Sequence, residues 1–349
     1  MIARRADNLV PRRVLIVKPS ALGDVVTAVP VLRALKRTFP DSRVSWMLAD
    51  SCAPLMAHDS DLDEVVPFDR KGLGKWWRSP GAAVELFLLL HRLRKARYDW
   101  VIDLQGLLRS GLFTLATRSP LRVGFARAKE GAWLFYSRRL HIDELHTVAR
   151  NIELAGELGI SATPADMTLQ VSDEGRLFAE RFCTDTRLAG RDVVVCVPPT
   201  RWQTKQYPPR HWRKVIAGLN EDYPVVLLGA PGDVELCGQI AEGLGPGVHD
   251  LTGRTTVGQM VGMIAAAAGV VCCDSAAKFI APAVGTDVVT LMGPTRVDRT
   301  GPYPIGRAVV AQIPCQGCLK RRCRPAVCME LIDPADVVAA AREMLARST

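Results

Sequence analysis

No run of eighteen apolar residues occurs in this 349-residue chain, so the sequence provides no membrane-spanning helix. Aromatic side chains make up only 6%, too few for a surface that stacks single-stranded bases, and no nucleic-acid partner is expected. The three-glycine dinucleotide fingerprint is missing, and so is G-x-x-x-x-G-K-[ST]; GLGKWW at 72–77 is neither. A Rossmann redox site and a P-loop hydrolase are therefore disfavoured. Histidine is scarce, with six dispersed residues and no pair at metal-binding spacing. No Ser/His/Asp or Cys/His nucleophilic set can be argued. The opening MIARRADNLVPRR is basic but lacks the apolar stretch of a secretory leader, which gives a cytoplasmic reading.

What is there fits a soluble α/β protein. The length is too great for one ordinary core and comfortable for two domains. Hydrophobic residues reach 48% and charged residues 23%. The net charge is +9, which favours an anionic partner or reflects a merely basic surface. Ten cysteines occur, of which Cys52, Cys183, Cys196, Cys237, Cys272 and Cys273 are scattered, mostly in apolar runs. In a cytosolic chain they read as free buried thiols.

Short β-branched runs alternate with helical patterns throughout. The first half offers strands at 14–18, 43–49, 63–68, 99–106 and 122–126, with a helix at 81–98. The second half offers strands at 192–200, 224–230, 249–253, 269–274 and 287–293. Nearly all are apolar, as expected when helices cover both faces of a parallel sheet. The alternation predicts two doubly wound Rossmann-like domains, 1–165 and 175–349, facing a cleft and joined through the polar segment 160–175. Ligands of such sheets bind beyond the carboxyl ends of the strands.

The first rim carries PSALGDVV at 19–26. Val25, Val29, Leu32, Leu35 and Phe39 form one helical stripe after Asp24, which places Asp24 where the helix begins. It is either a plain N-cap or a general base for a hydroxyl. Pro30 should kink that helix. Downstream, DLQGLLRSG puts Gln105 at another strand end and Arg109 one turn into a helix. Arg127, Lys129, Arg138, Arg139 and His141 then form either a basic set for an anionic sugar or phosphate, or a solvated face.

The second rim carries PPTRWQTKQYPPRHW, with Lys205 in the loop, and GVVCCDSAAKFIAPAVG, where a buried strand is expected to turn directly into a helix at Asp274 and Ser275. Free N–H groups there suit an anion, and Asp274 itself reads equally as a cap.

LIVKPSALGDVVTAVPVLRAL, DLQGLLRSG, LFYSRRLHI, TKQYPPRHW, LLGAPGDVE, DSAAKFIAPAVG and GPTRVDRTGPY together resemble the ADP-heptose:lipopolysaccharide heptosyltransferases, in that family's order over nearly the whole chain. The resemblance implies a metal-independent GT-B glycosyltransferase. It would move heptose from ADP-heptose to the lipopolysaccharide inner core, with inversion, at the inner face of the inner membrane. By position, Asp24 would be the base, in an acceptor-side loop with Ser20 and Gly23, and Gln105, Arg109, Arg127 and Arg138 would serve the acceptor. Lys205 would meet the donor pyrophosphate or sugar, Asp274, Ser275 and Ala276 would hold the donor, and Asp233, or else Glu235, would approach the ribose. Thr200 and Gly293 would line the nucleotide pocket. The C-terminal helix would be free to pack back on the first domain. The family pattern D-[ST]-G-x-x-H departs here: Ala276 replaces the glycine and Phe279 the histidine, and Lys278 is expected to point elsewhere on the helix. Two rivals stand beside this reading: another nucleotide-sugar enzyme of the same fold, such as an epimerase, and a non-catalytic binder of anionic glycans.

Finally, Cys315, Cys318, Cys323 and Cys328 give C-x2-C-x4-C-x4-C, with Lys320, Arg321, Arg322 and Arg324 to favour thiolates. The spacing suits a structural zinc or iron–sulfur site, or simply four free thiols or a labile disulfide on a surface loop.

Overall fold

The computed structural model describes residues 10–69, 72, 74, 77–323 and 327–347. The chain divides into two units between Met167 and Thr168. In the first, the elements run β1 (Arg13–Val17), α1 (Leu22–Val26), α2 (Val29–Thr38), β2 (Arg43–Ala49), β3 (Glu64–Phe68), α3 (Pro80–Lys95), β4 (Trp100–Asp103), α4 (Leu108–Ala116), β5 (Leu121–Phe125), β6 (Arg138–Leu140) and α5 (Thr147–Gly156). The strands form one parallel sheet in the order β3-β2-β1-β4-β5-β6. Val14, Leu15, Ile16 and Val17 of β1 are all fully buried, because helices cover both faces. One face packs Leu15, Val17, Met47 and Val101 against Leu89 and Leu93 of α3 and Phe113 of α4.

The expected single helix after PSALGD is two helices. Pro30 stands in the first turn of α2, where a missing N–H costs nothing, so it starts a helix instead of kinking one. The break falls at Thr27 and Ala28. Val25, Val29, Leu32 and Leu35 are all fully buried.

The second unit runs α6 (Asp173–Asp185), β7 (Val194–Val197), α7 (Pro209–Asn220), β8 (Val225–Leu227), α8 (Val234–Ala241), β9 (Val248–Asp250), α9 (Val257–Ala265), β10 (Gly269–Cys273), α10 (Ala277–Ala283), β11 (Val288–Leu291), α11 (Val297–Thr300), β12 (Arg307–Val309), α12 (Val327–Glu330) and α13 (Pro334–Leu345). Its strands are again parallel, ordered β12-β11-β10-β7-β8-β9. Trp212, Val215, Ile216 and Leu219 of α7 pack with Val337, Ala340, Ala341, Met344 and Leu345 of α13 in one core. The C-terminal helix therefore belongs to the second unit: its apolar face is already occupied by that unit's own sheet and α7.

The strand order reverses between β1 and β4 in one sheet and between β7 and β10 in the other. Such switch points open a crevice at the strand carboxyl ends. PSALGD and DLQG follow β1 and β4; the Lys205 loop and Asp274 follow β7 and β10.

Candidate functional site

In the first unit the two central strand ends are tied together. Lys18 Nζ donates to the Leu104 carbonyl at 2.9 Å, and Lys18 is 7% exposed. Asp103, fully buried at the end of β4, accepts from the Gln105 and Gly106 amides at 2.9 and 3.0 Å and from the Tyr136 hydroxyl at 2.7 Å. Burial nevertheless pushes its carboxyl above the ordinary value. These bonds fold DLQG so that Gly106 takes φ +65°. They leave Gln105 Oε1 buried without a hydrogen-bond partner among the described residues.

Asp24 is partly buried, at the third position of α1. Its Oδ2 accepts from the Ala21 amide at 3.0 Å. Its Oδ1 accepts nothing from the described residues. One oxygen thus does the capping and the other is left over. Ser20 is half-buried and Gly23 buried in the same loop.

The basic residues do not form one set. Arg138 opens β6, at the end of the sheet away from the strand carboxyl ends, and its Nη2 donates to the Glu157 carbonyl at 2.9 Å. This closes the C-terminus of α5, where a cation is favoured. Arg139 lies over the Trp133 ring, 4.8 Å from its centre. Arg127 and His141 line a small hollow after β5 and β6. Arg109 is exposed on α4 with its guanidinium 5.8 Å from the Phe68 ring, facing the groove towards α3.

In the second unit Asp274 is the centre of a buried cluster and 6% exposed. Its Oδ2 takes Lys205 Nζ at 2.7 Å and the Thr295 hydroxyl at 2.6 Å; its Oδ1 takes Lys278 Nζ. Lys278 thus points at Asp274, not elsewhere on the helix. The helix itself begins at Ala277, with Ala276 as N-cap in the αR region, so Asp274 is an ion-pair partner and not a cap. A negative φ of −65° is also why alanine is tolerated at 276. Burial alone would raise the Asp274 carboxyl; the two ammoniums outweigh it and hold the group below its ordinary value. Thr200 Oγ1 donates to the Asp274 carbonyl at 3.2 Å. Ser275 Oγ is shielded and has no hydrogen-bond partner among the described residues beyond a weak approach to the Cys272 thiol.

Asp233 Oδ2 accepts from the Ala230 amide at 2.8 Å and so shapes the turn after β8. A side chain on Gly229 would meet Pro199 at 3.0 Å and Asp233 at 3.2 Å, so this turn lies against the loop after β7. Glu235 is exposed. Gly293 is glycine for packing: a Cβ there would stand 2.5 Å from Met329 Sδ and 2.9 Å from Cys328 Sγ. Its buried face therefore meets α12, and no part in a nucleotide pocket follows from it.

Sequence reasoning did not single out Thr295, Lys18 or Tyr136, although each lies in a quoted motif, because their partners are distant in the chain. The direction of Lys278 had no signal either, because Asp274 lies before the helix that begins at Ala277.

The four clustered cysteines differ in exposure. Cys315, Cys318 and Cys323 are exposed and Cys328 is buried. Burial first, then the thiols of Cys318, Cys315 and Cys323, push the Cys328 thiol up. Among the described residues no three Cys, His, Asp or Glu side chains are grouped to hold a metal. The segment instead covers the loop after β11: the Gly317 amide donates to the Gly293 carbonyl at 3.2 Å and the Leu319 amide to the Pro294 carbonyl at 2.6 Å. Thr204 Oγ1 donates to the Lys320 carbonyl at 3.0 Å, and Arg321 stacks on Trp202 at 4.6 Å. Arg324 lies outside the described residues.

Residues 86–327 match the model of glycosyltransferase family 9 (heptosyltransferase). The chain is 28% identical over 300 residues to lipopolysaccharide heptosyltransferase 1 of Escherichia coli, covering 83% of this chain and 91% of that protein. It is 29% identical over 330 residues to the Pseudomonas aeruginosa protein of the same name, covering 89% and 87%. Among solved structures, Escherichia coli heptosyltransferase WaaC with ADP superposes with a TM-score of 0.76 at 26% identity, over 95% of this chain and 99% of that one. A family 9 glycosyl transferase from Veillonella parvula gives 0.79 at 19% identity, over 96% and 97%, which speaks for the fold. With the family's matched region spanning both switch-point loops of the second unit and DLQG of the first, the chain belongs to glycosyltransferase family 9, the heptosyltransferases.

Proposed function

We propose that the chain transfers heptose from ADP-heptose to the lipopolysaccharide inner core, with inversion. The observation that carries this is the Asp274–Lys205–Lys278–Thr295 cluster at the second switch point: buried, cationic on balance, and at the strand ends where such sheets take nucleotides. A solved WaaC structure in the same fold holds ADP-2-deoxy-2-fluoro heptose.

The chemistry follows from the residues. The acceptor hydroxyl attacks the anomeric carbon as the bond to the diphosphate breaks. Asp24, held by the Ala21 amide through Oδ2, takes the hydroxyl proton on Oδ1. The leaving ADP carries developing negative charge, and Lys205 supplies the compensating positive charge. Gln105 Oε1, unpartnered at the end of β4, accepts a hydroxyl of the acceptor sugar. An epimerase or a bare glycan binder is not favoured, since the named relatives are transferases. Product mass spectrometry decides: ADP-heptose with a core acceptor should yield acceptor plus one heptose and ADP. Interconversion of the nucleotide sugar without acceptor would overturn the reading.

The same reading puts the enzyme at the cytoplasmic face of the inner membrane. No helix of the described residues is long and apolar enough to cross a membrane. Support for a surface contact comes from a groove of about 700 Å³ between α3 and α4. Leu86, Phe87, Leu90 and Leu112 line it, and Arg94, Arg109 and Arg118 add cations that suit anionic headgroups. Co-sedimentation with phosphatidylglycerol vesicles should be lost in Phe87→Ser. Equal recovery with phosphatidylcholine vesicles would remove the electrostatic half of the idea.

A further inference from the structure

The buried charges at the end of β10 do not cancel. Asp274 carries one negative charge, and two ammoniums, Lys278 and Lys205, bond to its two oxygens. The adjacent thiols Cys272 and Cys273 are pushed up to about 12 by burial, so they are neutral and offset nothing. The two lysines differ in access: the Lys278 side chain is 3% exposed and the Lys205 side chain 14%. One cation is sealed beneath the carboxylate, and the other reaches out from it.

We propose that Lys278 is the standing counter-ion of Asp274, a positioning residue that leaves the charge of Lys205 available to a nucleoside diphosphate. This rests on the donor-site reading given above. Without Lys278 the carboxylate would neutralise Lys205, and an incoming diphosphate would meet a site with no net charge. With Lys278 in place, Asp274 orients the Lys205 ammonium through one oxygen while the cluster keeps a net positive charge. A buried carboxylate facing a diphosphate is otherwise a repulsive arrangement.

The surroundings agree. Burial pulls the Lys278 ammonium below its ordinary value, and Asp274 opposes that pull. The Phe279 ring lies with its centre 4.9 Å from Lys278 Nζ. An ammonium has only donors, so another donor at position 279 would be idle, whereas an aromatic face attracts the charge. Phe279, a departure from the family's pattern, thus suits the neighbouring Lys278.

The test is a charge cycle read by calorimetric titration with ADP. Lys278→Met makes the cluster neutral and should weaken ADP binding at least tenfold. Asp274→Asn with Lys278→Met restores one positive charge, on Lys205, and should return ADP affinity to within about threefold of the parent. Lys278→Arg should bind like the parent, and the KM for the acceptor should not change in any of these. Wild-type affinity in Lys278→Met overturns the proposal. So does a double variant that stays as weak as Lys278→Met, because Lys278 would then touch the ligand itself. Should Lys278→Met fail to fold, the double variant alone decides: parental affinity supports the proposal and a tenfold loss overturns it. If the parent protein binds neither ADP nor ADP-heptose, the donor-site reading fails. The pairing is then judged by melting: each single variant lowers Tm and the double variant recovers it, or the pairing fails too.

Discussion

Asp24 caps a helix and, in the proposed mechanism, also takes a proton. Its Oδ2 closes the start of α1, and its Oδ1 remains open. The two roles separate by substitution. Asparagine still caps through its carbonyl oxygen but cannot take a proton. Asp24→Asn should lower kcat by about 10²–10⁴ with ADP affinity and Tm unchanged. Asp24→Ala should lose turnover as well as about 0.5–2 kcal/mol of stability, measured by urea unfolding. Full turnover in the asparagine variant would remove the base assignment. Lys205→Ala is the complementary case: kcat should fall by about 10²–10³ and ADP affinity with it, seen in steady-state kinetics and titration. Sequence places Asp24 after β1 and Lys205 after β7, because a carboxylate at a helix start and a lysine in a strand–helix loop are local patterns. It does not place Thr295, which reaches Asp274 from the end of a different strand.

At the scale of elements, long-range support is what sequence hides. Tyr136 lies outside every helix and strand, yet its hydroxyl bonds to Asp103 at the end of β4. Gly124 of β5 makes room for it: a Cβ there would stand 2.3 Å from the Tyr136 ring. Tyr136→Phe should cost about 1–3 kcal/mol in urea unfolding, since a buried carboxylate loses a donor. Gly124→Ala should be at least as damaging. A Tyr136→Phe protein as stable as its parent would mean that water takes over the bond. The central strands were readable as apolar runs. β6 and β12 were not, because three residues carrying Arg138, Arg139 or Arg307 do not look like strand. Missing β6 also hid the bond from Arg138 to the end of α5.

Over the whole molecule, the GT-B fold repeats one plan: two six-stranded parallel sheets, each with its own core and its own reversal of strand order. A fragment spanning 168–349 should therefore fold alone and unfold cooperatively, as judged by circular dichroism during a urea titration. Acid should destabilise the full chain. Asp166 is held below its ordinary value chiefly by Arg37; in Asp63 burial pushes upward but the Val44 amide and Lys36 outweigh it; Asp274 behaves likewise with its lysines. A depressed carboxyl stabilises the fold above its unfolded value and loses that contribution as pH falls through the folded value. Tm should therefore drop below about pH 4, with Asp103, whose carboxyl is raised, working the other way. A Tm flat from pH 6 to 3 would contradict this.

The four outer strands have a consequence of their own. β6, β9 and β12 are three residues long, and β3 carries Pro67, which has no N–H to offer. Open ladders invite neighbouring polypeptides to dock strand to strand and grow into fibres. Here each margin is either too brief or chemically interrupted to template such growth, so a protein rich in bare apolar strands is guarded against self-polymerisation at its borders.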